Sequence, residues 1–245
     1  MFRRTTTALA LLLALAASAW APAWAQGGSF TPQQRAEIVE ILRGALKSDP
    51  SILMDAITAM QENEGAHKTA VIRSLAGQLE RNPGDPVAGN PNGDVTIVEF
   101  SDVRCPYCRR MLPVLADLLK RDANIRLVHK ELPVLGPSSV LGAKAVLAAQ
   151  KQGGYFKMHD ALMTGSPNID MDAIQAAARR FGLDGERLKR DMEAPDVQAR
   201  INENLELARK LQIRGTPAYL IGAQMAPGAL EPGELQDLIA QARRK

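Results

Sequence analysis

The motif Cys105-Pro106-Tyr107-Cys108 stands between two different sequence patterns. A short β-rich run, Val95–Phe100, precedes it, and apolar residues recur at helical spacing from residue 106 to residue 120. The motif is therefore predicted to lie at a strand-to-helix junction, with Cys105 at the N-terminus of the helix. Proline suits the first helical turn because that position needs no N–H partner.

The elements predicted after the motif determine the fold class. A second strand is predicted over residues 125–132, an almost wholly helical block over 138–211, a strand over 216–221 and a final helix over 234–244. Each half has too few strands for a sheet of its own, so the two halves are expected to share one sheet. The prediction is an α/β layer with a helical insertion at about residues 138–211.

The first residues predict export from the cytoplasm. Arg3-Arg4 precede an apolar run over residues 8–19, and Ala23-Trp24-Ala25 follows as a small-x-small cleavage signal. This pattern is typical of a secretory signal peptide, residues 1–25, cleaved after Ala25. An uncleaved membrane anchor is the alternative, but the run is shorter than the ~20 apolar residues that span a bilayer and ends at Pro22.

Residues 26–84 are predicted to form an N-terminal helical arm. Thr31-Pro32 has the residue types of a helix N-cap and first position, Asp49-Pro50 restarts the helical pattern, and a third stretch runs from about Gly65 to Glu80. The apolar stripes are too narrow to form a core alone. They are expected to pack either on copies of the chain, as an oligomerisation arm through residues 31–82, or as a hairpin on their own domain. A turn-rich segment then leads into the main domain, residues 85–245.

Charge and cysteine content narrow the function classes. Loss of Arg3 and Arg4 with the signal peptide lowers the 30 basic residues to 28 against 27 acidic ones, a net charge of +1 that suggests no nucleic-acid partner. The two cysteines exclude a four-cysteine zinc site. A disulfide closing so short a loop would contribute only ~2 kcal/mol to stability. Stabilisation of the fold by a disulfide is therefore a poor explanation for the motif.

Cysteine chemistry explains the motif better. A helix N-terminus stabilises a thiolate, so Cys105 is predicted to be the nucleophile and Cys108, one turn further on, the resolving thiol. Two alternatives are copper(I) binding by both thiolates and a passive disulfide in a scaffold whose helices bind partners. The Tyr107 ring either lines a substrate surface or covers the helix start. No cofactor and no metal is expected beyond the redox-active Cys105–Cys108 disulfide.

Two motifs carry a resemblance to a known family. Val98-Glu99-Phe100-Ser101-Asp102 before the cysteines and Gly215-Thr216-Pro217-Ala218-Tyr219 after the helical block resemble the DsbA-like family of periplasmic thiol:disulfide oxidoreductases, over about residues 87–245. The segment with Pro50, Leu53 and residues 85–91 is further similar to the branch that includes the suppressor-of-copper-sensitivity C proteins, some of which oligomerise through the arm and act as isomerases. The resemblance implies a thioredoxin fold, a periplasmic location, exported protein substrates and a membrane redox partner that resets the cysteine pair.

The resemblance also implies roles for individual residues. Pro217 is expected to be cis and to lie against the cysteines, so that the Thr216 backbone can pair with a substrate strand; a trans proline opening an edge strand is the alternative. Glu99 stands where the family places a buried acid and would accept the proton of Cys108; an exposed strand carboxylate is the alternative. Thr216 and the arm favour an isomerase or reductase over a dedicated oxidant.

The remaining polar residues of interest are expected to be structural. His67, His129 and His159 share no metal-ligand spacing and are interpreted as structural or solvated. Lys130-Glu131, near the end of the second predicted strand, are interpreted as surface charges.

Overall fold

The structure is a computed structural model that describes residues 30–244. The predicted signal peptide and its cleavage after Ala25 lie outside these residues. The chain divides into two compact units, a first that ends at Gln61 and a second that begins at Glu62. The predicted division at residue 85 stays a prediction. Among the helices described, none combines the length and the apolar character needed to cross a membrane.

The first unit is helical, with α1 over Pro32–Ser48 and the start of α2, which runs over Ser51–Ser74. Thr31 caps α1 as predicted: the Gln34 N–H donates to Thr31 Oγ1 at 3.2 Å, and the Thr31 N–H donates to Gln34 Oε1 at 2.9 Å. This reciprocal capping box satisfies two backbone N–H groups that a helix start leaves unpaired. None of the residues in α1 is buried.

The second unit contains one five-stranded sheet. Its strands are β1 Val87–Gly89, β2 Val95–Ser101, β3 Ile125–Glu131, β4 Ala218–Ile221 and β5 Gln224–Pro227. Their order in the sheet is β1-β3-β2-β4-β5. Strands β2 and β3 are parallel, and the other neighbouring pairs are antiparallel. The edge strands β1 and β5 are only three and four residues long, and the sequence pattern did not predict them.

Helices surround this sheet, and five of them form the insertion between β3 and β4. The predicted thioredoxin fold with a helical insertion is confirmed, and the block observed agrees closely with residues 138–211. The remaining helices are α3 Ala76–Glu80, α4 Pro106–Arg121, α5 Pro137–Gln150, α6 Tyr155–Thr164, α7 Met171–Phe181, α8 Gly185–Met192, α9 Pro195–Lys210 and α10 Pro232–Arg243.

Both faces of the sheet are covered. Residues of α4 and α10 pack on one face, and α9 together with Ile72, Leu75 and Leu79 packs on the other, around Phe100. Residues 72–79, which were predicted to lie in the N-terminal arm, thus belong to the core of the second unit. A third apolar cluster fills the helical insertion and includes both cysteines. The start of α4 therefore lies where the sheet meets the insertion.

Candidate active site at the start of helix α4

The two cysteines occupy the strand-to-helix junction that the sequence predicted. Cys105 is the N-cap of α4, with extended backbone angles (φ −67°, ψ 122°), and Pro106 takes the first helical position. Cys108 lies in the first turn. Both side chains are buried, and both are free thiols, so the geometry is that of the reduced protein.

Asp102 holds the turn that carries Cys105. Its backbone oxygen accepts from the Cys105 N–H at 2.9 Å, and its Oδ1 accepts from the Arg104 N–H at 2.9 Å. Its Oδ2 accepts from the N–H groups of Val134 and Leu135 at 3.0 and 3.1 Å. One buried carboxylate thus joins the loop before α4 to the loop after β3. Sequence reasoning gave Asp102 no role of its own, although it belongs to the motif that carries the family resemblance.

The Thr216–Pro217 segment lies directly against Cys105. The peptide bond between Thr216 and Pro217 is cis, as the resemblance implied. The Sγ atom of Cys105 lies 3.1 Å from the carbonyl oxygen of Thr216, to which the thiol donates when Cys105 is protonated. The structure thereby brings together the two motifs that the sequence separates by the whole helical insertion.

The two thiols have very different acidities. Interaction with the Cys108 thiol is the largest influence on the pKa of Cys105, and burial opposes it. Together with the Thr216 side chain and the backbone N–H groups of Cys108 and Tyr107, it lowers this pKa to about 5. The same interaction with Cys105, together with burial, raises the pKa of Cys108 well above the usual value. At neutral pH Cys105 is therefore a thiolate and Cys108 a thiol. These protonation states suit Cys105 to act as a nucleophile and Cys108 to act as a resolving thiol.

Glu99 lies on the sheet beneath α4 and is almost completely buried. The strand register places it beside His129 on β3 and Tyr219 on β4. The Tyr219 hydroxyl donates to Glu99 Oε1 at 3.0 Å, and His129 Nδ1 lies 3.2 Å from Oε2. Burial raises the pKa of Glu99, but interactions with His129, His159 and Tyr219 outweigh it and hold the pKa below the usual value. The structure excludes an exposed position for this carboxylate.

Two histidines that looked unrelated in the sequence meet below the cysteines. His129 on β3 and His159 on α6 are both buried, with ring centroids 5.4 Å apart. A cavity of about 190 Å³ is lined by both rings, by Glu99 and by Cys108, and reaches the exposed residue Asp160. Sequence spacing missed this cluster because a strand and a distant helix supply its members. Within residues 30–244, no three His, Cys, Asp or Glu side chains are grouped so that they could hold a metal ion.

The interpretation of Lys130-Glu131 as surface charges is wrong, because both side chains are buried. Strand β3 lies between β1 and β2, and both faces of the sheet are covered, so neither side chain reaches solvent. Lys130 Nζ donates to Asp85 Oδ2 at 2.5 Å and to the Gln78 carbonyl oxygen at 2.7 Å. The Tyr155 hydroxyl donates to Glu131 Oε1 at 2.5 Å, and burial raises the pKa of Glu131 to about 7.

A groove of about 900 Å³ begins beside Thr216 and continues over the surface next to the cysteines. Tyr107, with 55% of its surface exposed, forms part of its wall, and the Arg110 guanidinium lies 5.1 Å from the centre of the Tyr107 ring. Ile72, Pro217 and Met225 line it with apolar surface. The groove offers space for an extended chain next to the Thr216 backbone.

Comparison with known proteins agrees with this geometry. The family model described as DSBA-like thioredoxin domain matches residues 96–240, which include the cysteine motif and Thr216–Pro217. A solved thioredoxin-like oxidoreductase from Silicibacter pomeroyi DSS-3 is 45% identical, with a TM-score of 0.67, and the match covers 69% of this chain and 98% of that one. Proteus mirabilis ScsC in a transitional conformation is 29% identical, with a TM-score of 0.65, over 88% of this chain and 98% of that one.

Among curated proteins, the Na(+)/H(+) antiporter NhaA 1 of Salinispora arenicola is 29% identical over 160 residues. The match covers 64% of this chain but only 24% of the antiporter, so this chain spans about a quarter of that relative's length. The likeness therefore concerns one part of the antiporter.

Proposed function

Because the chain belongs to the family of proteins with a DSBA-like thioredoxin domain, we propose that it is a periplasmic enzyme that isomerises or reduces disulfides in exported proteins. The observation that carries this proposal is the pairing of an acidic Cys105 thiol with a protonated Cys108 thiol opposite the cis Thr216–Pro217 bond. Oxidoreductase chemistry belongs to the family. Its direction and location in the cell are the proposal.

In the proposed reaction, the Cys105 thiolate attacks one sulfur of a client disulfide. A Cys105–client disulfide forms, the client S–S bond breaks, and the other client sulfur leaves as a thiolate. For reduction, Cys108 loses its proton and attacks the Cys105 sulfur. The second client sulfur then leaves, the client gains two electrons and the Cys105–Cys108 disulfide forms. For isomerisation, a different client thiolate attacks the mixed disulfide and regenerates Cys105 without net transfer of electrons.

Glu99 is proposed to accept the proton of Cys108 during resolution. Cys108 and Glu99 line the same cavity, and the low pKa of Glu99 keeps it as a carboxylate while the high pKa of Cys108 keeps it as a thiol. A buried thiol without such an acceptor would resolve the mixed disulfide slowly, since the thiolate is the attacking form. The Thr216 backbone is proposed to pair with the client strand, with Pro217 shaping the turn and Tyr107 contacting the client in the groove.

The first unit supports the isomerase direction. Over residues 32–61 of this unit, nine large apolar side chains are exposed, which is unusual for a helical surface without a partner. We infer from this exposed surface that the first unit associates with copies of itself. Active sites that are linked in this way and face one another would favour reshuffling of disulfides in misfolded clients. The exposed residues are Val39, Ile41, Leu42, Leu46, Ile52, Leu53, Met54, Ile57 and Met60.

The test compares three proteins for refolding of scrambled ribonuclease and for oxidation of reduced ribonuclease. These are the mature chain, a truncation that begins at Glu62, and a full-length Leu42→Glu/Leu53→Glu variant. The truncation keeps the buried residues 72–79 in place. Leu205→Glu, at an exposed leucine outside the first unit, is the matched control.

Sedimentation should show self-association of the mature chain and of the control, but not of the other two proteins. The two proteins that lose self-association should also lose isomerase activity, while their oxidase activity is kept or raised. Equal loss of both activities, or no change, would contradict the isomerase direction. Tight one-to-one copper(I) binding to the reduced protein, without turnover in either assay, would instead support metal handling by Cys105 and Cys108.

A further inference from the structure

The groove beside the cysteines carries cations and no acid. Lys68 on α2, Arg110 on α4 and Arg214 in the loop before Thr216 line it, and none of its lining residues is an aspartate or glutamate. All three side chains are exposed, and within residues 30–244 none of them forms an ion pair. Their charges are therefore available to a molecule that enters the groove.

This positive charge is local and does not reflect the composition of the chain. The 30 lysines and arginines are nearly balanced by 27 acids, and several arginines elsewhere form ion pairs with acids. Arg243, for example, contacts Asp94 and Asp122, and Arg209 contacts Glu206. Concentrating one sign of charge in a cleft focuses the electric field and raises the local concentration of the opposite charge.

The groove is also shaped for a polypeptide. It combines apolar surface from Ile72, Pro217 and Met225 with the half-buried Thr216, whose carbonyl oxygen lies 3.1 Å from Cys105 Sγ. The Arg110 guanidinium is held over the Tyr107 ring, which fixes its charge at the wall of the groove. An occupant must therefore have apolar side chains, a backbone that can pair with Thr216, and negative charges at its flanks.

We propose that the groove selects client segments that carry carboxylates close to the cysteine that reacts with Cys105. The proposal rests on the oxidoreductase function proposed above and names the class of client. Aspartate and glutamate side chains near the client disulfide would be attracted by Lys68, Arg110 and Arg214 during encounter. Such steering acts mainly on the association rate and is screened by salt.

The experiment uses the reduced full-length protein and three small substrates. Two are peptides of equal length with one cysteine blocked as a disulfide with an uncharged thiopyridine, flanked in one by glutamates and in the other by lysines. The third is the neutral disulfide of 2-mercaptoethanol, which reports the reactivity of Cys105 itself. Stopped-flow spectroscopy gives the second-order rate constant for each substrate at low and at high ionic strength.

We expect the glutamate peptide to react roughly tenfold faster than the lysine peptide at low salt, and the ratio to approach one at ~1 M salt. A full-length Lys68→Glu/Arg214→Glu variant should reverse the ratio. Arg190→Glu, which changes an exposed arginine outside the groove, should keep it. The readout is the ratio of two peptides on one protein, so a change in the reactivity of Cys105 cancels.

Equal rates for the two peptides, or a preference that the double charge reversal leaves intact, would overturn the proposed client class while leaving the enzyme an oxidoreductase. If no substrate reacts with Cys105, including the neutral disulfide, the proposed oxidoreductase function itself fails.

Discussion

The Sγ atom of Cys105 lies 3.1 Å from the carbonyl oxygen of Thr216, although 111 residues separate the two in the chain. Cys105 ends the turn after β2, and Thr216 precedes β4, which pairs with β2 in the sheet. The contact between the two motifs is thus a consequence of neighbouring strands. It places the reactive sulfur beside the backbone on which a client strand is proposed to lie.

The acidity of Cys105 can be titrated directly. In the reduced protein we expect the Cys105 thiolate to form with a midpoint near pH 5. Its formation can be measured by ultraviolet absorbance and by the rate of alkylation with iodoacetamide. Because the Cys108 thiol is the largest cause of this low pKa, Cys108→Ala should raise the midpoint by about one unit or more. A midpoint near the ordinary cysteine value in the unmodified protein would refute the assignment of Cys105 as an activated nucleophile.

Replacing Glu99 with glutamine should slow resolution of the mixed disulfide but not its formation. Glutamine keeps an acceptor for the Tyr219 hydroxyl but cannot take the proton of Cys108. Resolution at neutral pH should fall roughly tenfold or more, so that a Cys105–peptide disulfide accumulates and can be quantified by mass spectrometry after acid quenching. Glu131→Gln, at another buried carboxylate, is the control. Equal accumulation in both variants would argue against a specific role for Glu99.

Glu131→Gln should make the protein relatively more stable at higher pH. The pKa of Glu131 is raised from 4.5 to about 7, so the stability that its neutral form contributes is complete below about pH 4.5 and is lost as the pH rises through 7. Glutamine does not ionise and avoids this loss. Relative to the unmodified protein, the variant should gain up to about 3 kcal/mol in the free energy of unfolding between these pH values.

Urea denaturation at pH 4.5 and at pH 8 measures this gain. The exposed Glu193→Gln should show no comparable difference between the two pH values. A constant difference between the Glu131→Gln variant and the unmodified protein at both pH values would mean that folding does not raise the pKa of Glu131.

Removing the buried charge of Lys130 should destabilise the second unit. Lys130→Met leaves Asp85 buried with only the more distant Arg200, 3.5 Å away, and should cost about 3 kcal/mol in the free energy of unfolding. A Lys130→Met/Asp85→Leu double variant should recover most of this loss. Lys144→Met breaks an ion pair with the exposed Glu193 and should cost less than about 1 kcal/mol. A similar small cost for Lys130→Met would show that the buried pair contributes little.

Residues close together in the chain were enough to predict the junction that carries Cys105. The β-rich run before it, the proline after it and the apolar spacing of α4 are local signals, and capping and periodicity act over a few residues. The same holds for the Thr31 cap and for the helical insertion. The short edge strands β1 and β5 escaped prediction because three or four residues carry too little pattern, and their pairing partners are elsewhere in the chain.

Local pattern could not determine the surroundings of the cysteines. By residue type alone Lys130 and Glu131 belong on a surface, yet β3 is covered by β1, by β2 and by helices far away in sequence, so both are buried. The same packing sets His159 beside His129 and gathers Lys68, Arg110 and Arg214 around one groove.

Local sequence was therefore enough to identify the reactive atoms, since the low pKa of Cys105 comes mainly from the Cys108 thiol one helical turn away, with help from the backbone N–H groups at the helix start. Packing places a carboxylate and two histidines beneath those atoms and gathers charges along the groove beside them. Local sequence could not identify these residues, because burial and electrostatic interactions depend on distance in space and the residues come from strands and helices far apart in the chain.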